Sequence, residues 1–473
     1  MTFYVYTTAG GSRKKYKLDS FPDNKPDEYQ INKVAAKQTD NELLWKSSNT
    51  DSLISSDWKA MRKTNTLSQD RERFNGNFTQ QEPIPDAGIQ RAVEVLQSGR
   101  LHRYNVAEGE KSDTALLETE FAEYQGARFC LACASGGYAM QVALSSFGLE
   151  YGEPVLTNAF TLSPVPGAVH NVGGKPVLVE TTEQLVIDLL DLERKIESSG
   201  SRVLLLSHMR GHIADMGHLC DLLDQKGVSL VEDCAHTMGA SWSDRLSGSF
   251  GVAACFSSQT YKHINSGEGG FVTTDDPDLM ARAIIRSGSY MLYEHHDAAP
   301  EPAAFSDIRF DNPNCSGRMD NLRAAILRPQ LKILGSNRER WNERYHTLEK
   351  ALGVVKGVTL PIRPKAEVYV GSSIQFLLKE MTAEQIQMVI STCRERGVEL
   401  KWFGASEPAG YTSSHDSWRY MDNQSLPETD RILSKLLDMR IPLTFSLEDC
   451  RLISRIIDQC ITASAAENSP GAG

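Results

Sequence analysis

The sequence predicts an α/β fold: a mostly parallel central sheet flanked by helices, with a smaller C-terminal α/β domain behind it. Three observations predict it. From about Glu82 to about residue 325, short apolar runs of strand length alternate with stretches of helical spacing. Helical stretches such as "GGYAMQVALSSFG" and "DMGHLCDLLDQKG" close on a glycine, the residue that best adopts the left-handed turn ending a helix. Strict alternation of strand and helix favours parallel pairing with helices on both faces.

Taken in order, residues 1–80 form an extension rich in Lys, Asn, Asp, Ser and Thr with weak apolar periodicity. It is expected to be partly ordered, with short helices that Trp45 and Trp58 help to pack. Residues 81–325 form the large domain, with strands expected at "RFCLACAS", "PVLTNA", "KPVLVE", "RVLLLSH", "VSLVEDC", "VAACFSS" and "GFVTTD". Residues 326–465 begin with a long helix, "RAAILRPQLKILGSNRERWNERYHTLEKAL", and continue as the smaller domain. Capping boxes are expected there at Thr382 with Gln385 and at Ser446 with Asp449. Residues 295–305, "HHDAAPEPAAF", read as a Pro/Ala loop, and residues 466–473 as a flexible tail.

The chain has 473 residues, 40% hydrophobic and 23% charged, with a formal net charge of −11. That balance opposes nucleic-acid binding, which needs a basic face, and Arg13-Lys14-Lys15 is a solvated run rather than such a face. No apolar stretch reaches the length of a membrane span, and Met1 to Ser20 lacks the apolar segment of a secretory signal. A cytoplasmic location is expected. The nine cysteines are scattered, odd in number and mostly set in apolar runs, as reduced core thiols are. Cys130 and Cys133 make one CxxC with no second pair, so no metal site is expected.

In parallel sheets the ligand sits at the carboxyl ends of the strands. After "RFCLACA" come Ser135, Gly136 and Gly137 opening a helix, whose free N–H groups suit a phosphate. After "VSLVE" comes Asp233, with His236 three residues on; after "RVLLL" come Ser207 and His208. After "VAACF" come Ser257 and Ser258, and then Lys262 in "FSSQTYKHINSGEGGFVTTDD". Singly these are ordinary: a strand-end Asp caps helices, a lone His is structural, and Lys262 is a loop charge. Together, a phosphate cradle, a carboxylate and a lysine able to act as a nucleophile are what pyridoxal 5'-phosphate requires. A dinucleotide fingerprint fits worse, because "GEGGFV" has Val272 where a glycine is needed and no helix follows.

Residues 80–465 resemble the DegT/DnrJ/EryC1/StrS aminotransferases. The resemblance rests on "VEDCAHTMGAS", "SHMRGHIADM", the lysine loop, "CSGRMDNLRAAIL" and "SGRLHRYN". It implies the fold-type I, aspartate aminotransferase-like architecture, a homodimer with active sites at the interface, and pyridoxal phosphate. Lys262 is then the Schiff-base lysine and proton shuttle, Asp233 the partner of the pyridine nitrogen, and His236 a neighbour of the ring hydroxyl. Ser135, Gly136, Gly137 and Ser257 hold the phosphate, Leu162 covers the ring, and Ser316 stands in the place of an asparagine that reaches the neighbouring subunit's phosphate. His208, Arg318 and Tyr138 are implied as substrate contacts. The implied reaction moves an amino group from glutamate or glutamine to a ketone, a keto-sugar or a ketocyclitol.

Several positions depart from the family's pattern. Gly137 replaces a threonine of the phosphate loop, and Tyr138 replaces an alanine. Leu162 replaces a stacking aromatic, with Phe160 two residues away as a substitute, and Ser316 replaces an asparagine, with Asn314 nearby. "LKWFGASEPAGY" is expected to shape the acceptor pocket. The alternatives to transamination are dehydration with the same cofactor, or a non-catalytic regulatory protein of the same fold; Lys262 and Asp233, both present, speak against each.

Overall fold

The computed structural model describes residues 3–9, 12–18, 72–407 and 414–466. The chain divides into two units, Met1–Arg71 and Glu72–Gly473. In the first, β1 (Phe3–Ala9) pairs antiparallel with β2 (Ser12–Leu18), Phe3 facing Leu18 and Ala9 facing Ser12. The strand formers Phe3, Tyr4, Val5, Tyr6, Thr7 and Thr8 favour this hairpin, and residues 19–71, which complete most of the extension expected to carry short helices, lie outside the described residues. Trp45, Trp58 and the tail from residue 467 lie outside the described residues.

The second unit opens with α1 (Asp86–Ser98) and α2 (Asp113–Gln125). Strand and helix then alternate: β3 (Phe129–Cys133), α3 (Gly136–Phe147), β4 (Pro154–Asn158), α4 (Pro164–Asn171) and β5 (Lys175–Val179). There follow α5 (Leu189–Ser199), β6 (Val203–Ser207), α6 (Met216–Lys226) and β7 (Ser229–Asp233). A small hairpin, β8 (Ser241–Trp242) and β9 (Arg245–Leu246), precedes β10 (Ala253–Ser257), β11 (Gly270–Thr274) and α7 (Pro277–Ile284).

The seven long strands form one sheet in the order β3-β11-β10-β7-β6-β4-β5. The five from β10 to β5 run parallel, whereas β11 is antiparallel to both β10 and β3. Every residue of β3, β6, β10 and β11 is buried, because helices cover both faces; this is why these strands read as continuous apolar runs. Leu131, Leu205, Val231 and Cys255 pack into the core on one face. Their sequence neighbours Ala132, Leu204, Leu230 and Ala254 pack on the other.

The 32-residue α8 (Asn321–Leu352) runs about 48 Å at the helical rise. Leu327, Leu331 and Leu334 bury its first half against the main body, while Tyr345, Leu348 and Leu352 belong to a second core. That core is closed by β13 (Ser373–Leu377), α9 (Ala383–Glu395), β14 (Lys401–Trp402), β15 (Leu436–Arg440) and α11 (Leu447–Ala466), whereas β12 (Glu367–Val368) pairs with β8 and α10 (Pro427–Leu433) packs Ile432 and Leu433 into a separate cluster with Phe160 and Phe403. Strands β13, β15 and β14 form an antiparallel sheet in that order. Thr382 and Gln385 make the expected capping box at α9. Ser446 and Asp449 exchange the same reciprocal bonds before α11. The Pro/Ala stretch contains a short 3-10 turn, Pro302–Phe305, and stacks Phe305 on Tyr293 at 4.3 Å.

Behind the sheet, Arg103 and Glu118 form a fully buried bidentate pair, both bonds 2.7 Å, and Glu118 also accepts from Ala132 N. Burial pushes the Glu118 carboxyl up, but the charges of Arg103 and His296 outweigh it and hold it at about 2. Glu118→Ala strands the buried guanidinium, and should cost about 3–5 kcal/mol in denaturant unfolding. A loss below about 1 kcal/mol would show that water reaches Arg103.

Candidate active site

One cavity of about 620 Å³ lies over the carboxyl ends of β3, β4, β6, β7 and β10, and residues around β13, β14 and β15 complete its wall. Its size suits a cofactor together with a small substrate. At one side Ser135 caps α3, its hydroxyl accepting from Tyr138 N at 3.1 Å, so Gly136 and Gly137 stand in the first turn, where N–H groups have no intrahelical acceptor. Gly136 is dictated by close approach: a Cβ there would lie 2.8 Å from Ser257 Cβ. Ser135, the opening of α3 and Ser257 at the end of β10 therefore form one compact, hydrogen-bond-rich concavity of the kind that holds an anion.

Between this concavity and β6 stands Asp233, buried at the end of β7. Ser207 Oγ donates to its Oδ2 at 2.7 Å and Ala235 N to its Oδ1 at 3.1 Å, which fixes the carboxylate plane. Lys262 lies in the 258–269 connection of the β10–β11 hairpin, with its Nζ 2.8 Å from His236 Nε2. Burial is the main force bringing its pKa down to about 7. Asp233 resists this, while Arg210 and Arg440 add to it. The amine is thus half neutral near pH 7, unlike an exposed lysine. Burial, with Lys262 close by, also holds His236 neutral, and its Nδ1 is buried without a partner.

Next to Lys262, His263 is kept neutral by burial, at about 4, so its Nδ1–H donates to Met238 O at 2.9 Å and its Nε2 accepts from Ser372 at 3.1 Å. It pins the lysine loop to the chain entering β13. On the far side of Asp233, Arg210 follows β6 with φ 55°, an uncommon backbone state for a residue with a side chain. Its Nη2 meets Asp438 Oδ2 of β15 at 2.7 Å. Arg440 lays its guanidinium over the Tyr261 ring at 3.7 Å.

A profile of the DegT/DnrJ/EryC1/StrS aminotransferase family matches residues 84–458, most of the chain. The chain belongs to that family. It is 32% identical over 219 residues to a dTDP-3-amino-3,4,6-trideoxy-alpha-D-glucose transaminase of Micromonospora megalomicea subsp. nigra, covering 46% of this chain and 55% of the relative. It is 30% identical over 287 residues to an L-glutamine:2-deoxy-scyllo-inosose aminotransferase of Streptomyces fradiae, covering 60% and 66%. The chain thus spans between half and two thirds of the length of these relatives. In three dimensions it resembles the aminotransferase TlmJ of Streptoalloteichus hindustanus, with a TM-score of 0.70 and 20% identity over 81% of this chain and 98% of that one. It also resembles 3-amino-5-hydroxybenzoic acid synthase, with a TM-score of 0.71 and 23% identity over 82% and 100%. These two show that the family's fold is present.

The cavity brings together Ser135, Gly136, Gly137, Leu162, Asp233, His236, Ser257 and Lys262. His208, Tyr138, Arg318 and Phe160, also singled out in the sequence, do not line it. His208 turns to the opposite face, its Nε2 3.1 Å from Glu232, since successive residues at a strand end alternate and Ser207 takes the cavity side. Tyr138 points away and donates its hydroxyl to Cys315 O at 2.8 Å. Arg318 bonds Gly288 O and the Ser316 hydroxyl, which keeps its side chain on the segment beside β3; Ser316 is the residue expected to meet a neighbouring subunit rather than this chain's own cavity. Phe160 does not substitute for a stacking aromatic: β4 ends at Asn158, so the strand period no longer holds, and Phe160 packs in the core edge-on to Phe403 at 5.1 Å.

Thr161, Arg210, Tyr261, Trp341, Lys401 and Arg440 also line the cavity, although no sequence signal singled them out. Lys401 falls in "LKWFGASEPAGY", whose residues from Pro408 on lie outside the described residues. Of the CxxC, Cys130 and Cys133 are buried free thiols in β3, and among all nine cysteines Cys315 alone is exposed. Among the described residues no helix is long and apolar enough to cross a membrane.

Proposed function

We propose that the protein is a pyridoxal-phosphate-dependent aminotransferase that moves an amino group from glutamate or glutamine to a ketone of the keto-sugar or ketocyclitol class. The observation that carries the proposal is the part-buried Lys262, its pKa brought down to about 7, which shares a cavity with a serine-capped helix start and a fixed carboxylate. The residues present fit the cofactor. Ser135, Ser257 and the N–H groups of Gly136 and Gly137 hold the phosphate, Asp233 pairs with the ring nitrogen, Leu162 covers the ring, and the unpartnered His236 Nδ1 is the buried polar atom a ring substituent would satisfy. When bound, pyridoxal phosphate supplies an aldehyde and an electron-withdrawing ring next to the donor nitrogen.

The chain's own residues do the rest. The neutral Lys262 amine would hold the cofactor through its aldehyde carbon and, as a free base, would take the proton from the donor's α-carbon. Asp233, oriented by Ser207, keeps the ring nitrogen protonated. His236 Nε2 accepts from the Lys262 amine and orients it. The named relatives act on a dTDP-sugar and on a ketocyclitol, which supports the acceptor class proposed here. A homodimer and a cytoplasmic setting belong to the same reading, supported by the family and by the free cysteines.

The test is optical. Protein mixed with pyridoxal phosphate should turn yellow, and glutamine or glutamate should then bleach it. The initial rate of yellowing should fall about tenfold per pH unit below 7 and level off above it, because protonation removes the nucleophile. A protein that stays colourless with excess pyridoxal phosphate at pH 8 would sink the proposal and favour a non-catalytic role.

A further inference from the structure

Residues 72–83 precede the stretch that the family profile matches, yet they form a strap fastened to the smaller domain, and two of them line the cavity. Glu72 pairs with Arg455 of α11 at 2.9 Å, and its carbonyl accepts from Arg396 Nε at 2.9 Å. Phe74 N donates to Arg396 O at 2.9 Å, and the rings of Phe74, Phe78 and Phe445 pack edge-on, with centroids 4.9 to 5.6 Å apart. At the other end Glu82 pairs with Arg340 of α8. The strap is thus held on both sides of residue 81.

A tight turn sets the direction in which the strap continues. Asn77 Oδ1 accepts from Thr79 N at 2.8 Å and from Thr79 Oγ1 at 2.7 Å, and Gln80 N donates to Asn77 O at 3.2 Å. Gln80 Nε2 then donates to Gln81 O at 2.8 Å. Of the two residues that line the cavity, Phe78 is spent on the smaller domain's core. Gln81 is not: it is half-buried, and its side-chain amide makes no hydrogen bond among the described residues.

Its polar neighbours on this wall are already engaged. Trp341 donates its indole N–H to Ile441 O at 3.0 Å, and the Ser372 hydroxyl bonds His263 at 3.1 Å. A second void, of about 60 Å³, is lined by Gln81, Trp341 and Lys262 together, so the free amide stands on the Lys262 side of the cavity. A fixed backbone that presents an unused, uncharged amide near the reacting amine suits recognition of a neutral polar group. Such an amide accepts at Oε1 and donates at Nε2, which matches a hydroxyl, itself both donor and acceptor.

We propose that Gln81 is a specificity-determining residue, whose amide binds a hydroxyl of the ketone acceptor and so holds the acceptor's carbonyl carbon towards Lys262. The inference deepens the proposed function and rests on it for the identity of the acceptor. Hydroxyl binding by the amide rests on the strap's geometry alone.

Calorimetric titration of scyllo-inositol into protein kept with excess pyridoxal phosphate reads recognition without turnover. The wild type should bind it. Gln81→Leu, which keeps the length of the side chain but removes the amide, should bind it about three- to tenfold more weakly, the scale of one or two neutral hydrogen bonds. Equal affinity in the two proteins, or no binding to the wild type, overturns the proposal whether or not the protein is an aminotransferase. Thermal unfolding of Gln81→Leu should match that of the wild type, since the amide has no hydrogen bond within the described residues to lose.

The half-reactions then identify the reacting molecule concerned. In protein loaded with pyridoxamine phosphate, return of the yellow form is followed with scyllo-inosose and with cyclohexanone, which has the same ring and carbonyl but no hydroxyl. In Gln81→Leu the concentration of scyllo-inosose giving half the maximal rate should rise about three- to tenfold, while the response to cyclohexanone and the bleaching of the yellow form by L-glutamine should not change. An equal loss with all three compounds would make Gln81 a general support of the cavity and overturn its role in recognition. A wild type that stays colourless throughout, yet binds scyllo-inositol through Gln81, would sink the aminotransferase reading and leave the hydroxyl site standing.

Discussion

Lys262→Ala is expected to lower turnover on the order of 10⁴-fold, the upper end of what one positioned proton-transfer group contributes, because the same amine also serves as the nucleophile. The loss should not come from misfolding. The lysine is buried at a cost in solvation, which is why its pKa falls to about 7, and alanine removes that cost. The unfolding midpoint should therefore stay close to that of the wild type at pH 7. The phosphate concavity at Ser135–Gly137 and Ser257 is untouched by the change, so the variant should still bind pyridoxal phosphate while failing to shift its absorbance. Steady turnover within tenfold of the wild type would remove Lys262 from the chemistry.

Asp233→Asn is the second large effect, expected on the order of 10²–10³-fold in kcat, the scale at which removing one preorganised charge acts in a buried site. Ser207→Ala should cost far less, since the Ser207 hydroxyl bonds Asp233 Oδ2 alone among the described residues, and the Ala235 N–H still holds the other oxygen. The double variant should lose no more than Asp233→Asn alone, because the hydroxyl has nothing left to orient. Additive losses measured in that cycle would show that Ser207 has its own contact with the reacting molecule.

All seven strands of the main sheet stand where the apolar runs placed them, and the reason is physical. Strands buried on both faces leave continuous apolar stretches bounded by polar turns, so Val203–Ser207 and Ala253–Ser257 are legible without any tertiary information. The residues at or soon after the strand ends were legible for the same reason: Ser135, Asp233, Ser257 and Lys262 all face one cavity. Facing direction was the weak point. His208 and Ser207 are neighbours, and only strand alternation tells that Ser207 goes with Asp233 while His208 goes with Glu232. Arg440 and Lys401 were not legible at all. They lie some 140 to 180 residues beyond Lys262 in sequence, on strands of another sheet, and reach the cavity only through the packing of α8 against both cores.

The bond from Tyr138 has a mechanical consequence. Its ring sits where any side chain at Gly317 would have to go, with only 2.1 Å left for a Cβ, and its hydroxyl fastens to Cys315 O. Tyr138 is also the residue whose own N–H is gripped by the Ser135 cap. A single side chain therefore works as a tie rod between the 315–317 segment and the first turn of α3. A push of even an ångström on that segment is delivered to the phosphate concavity as a tug on its opening turn. Shortening the rod, as Tyr138→Ala would, uncouples the two and leaves the concavity to hold its shape by the serine cap alone.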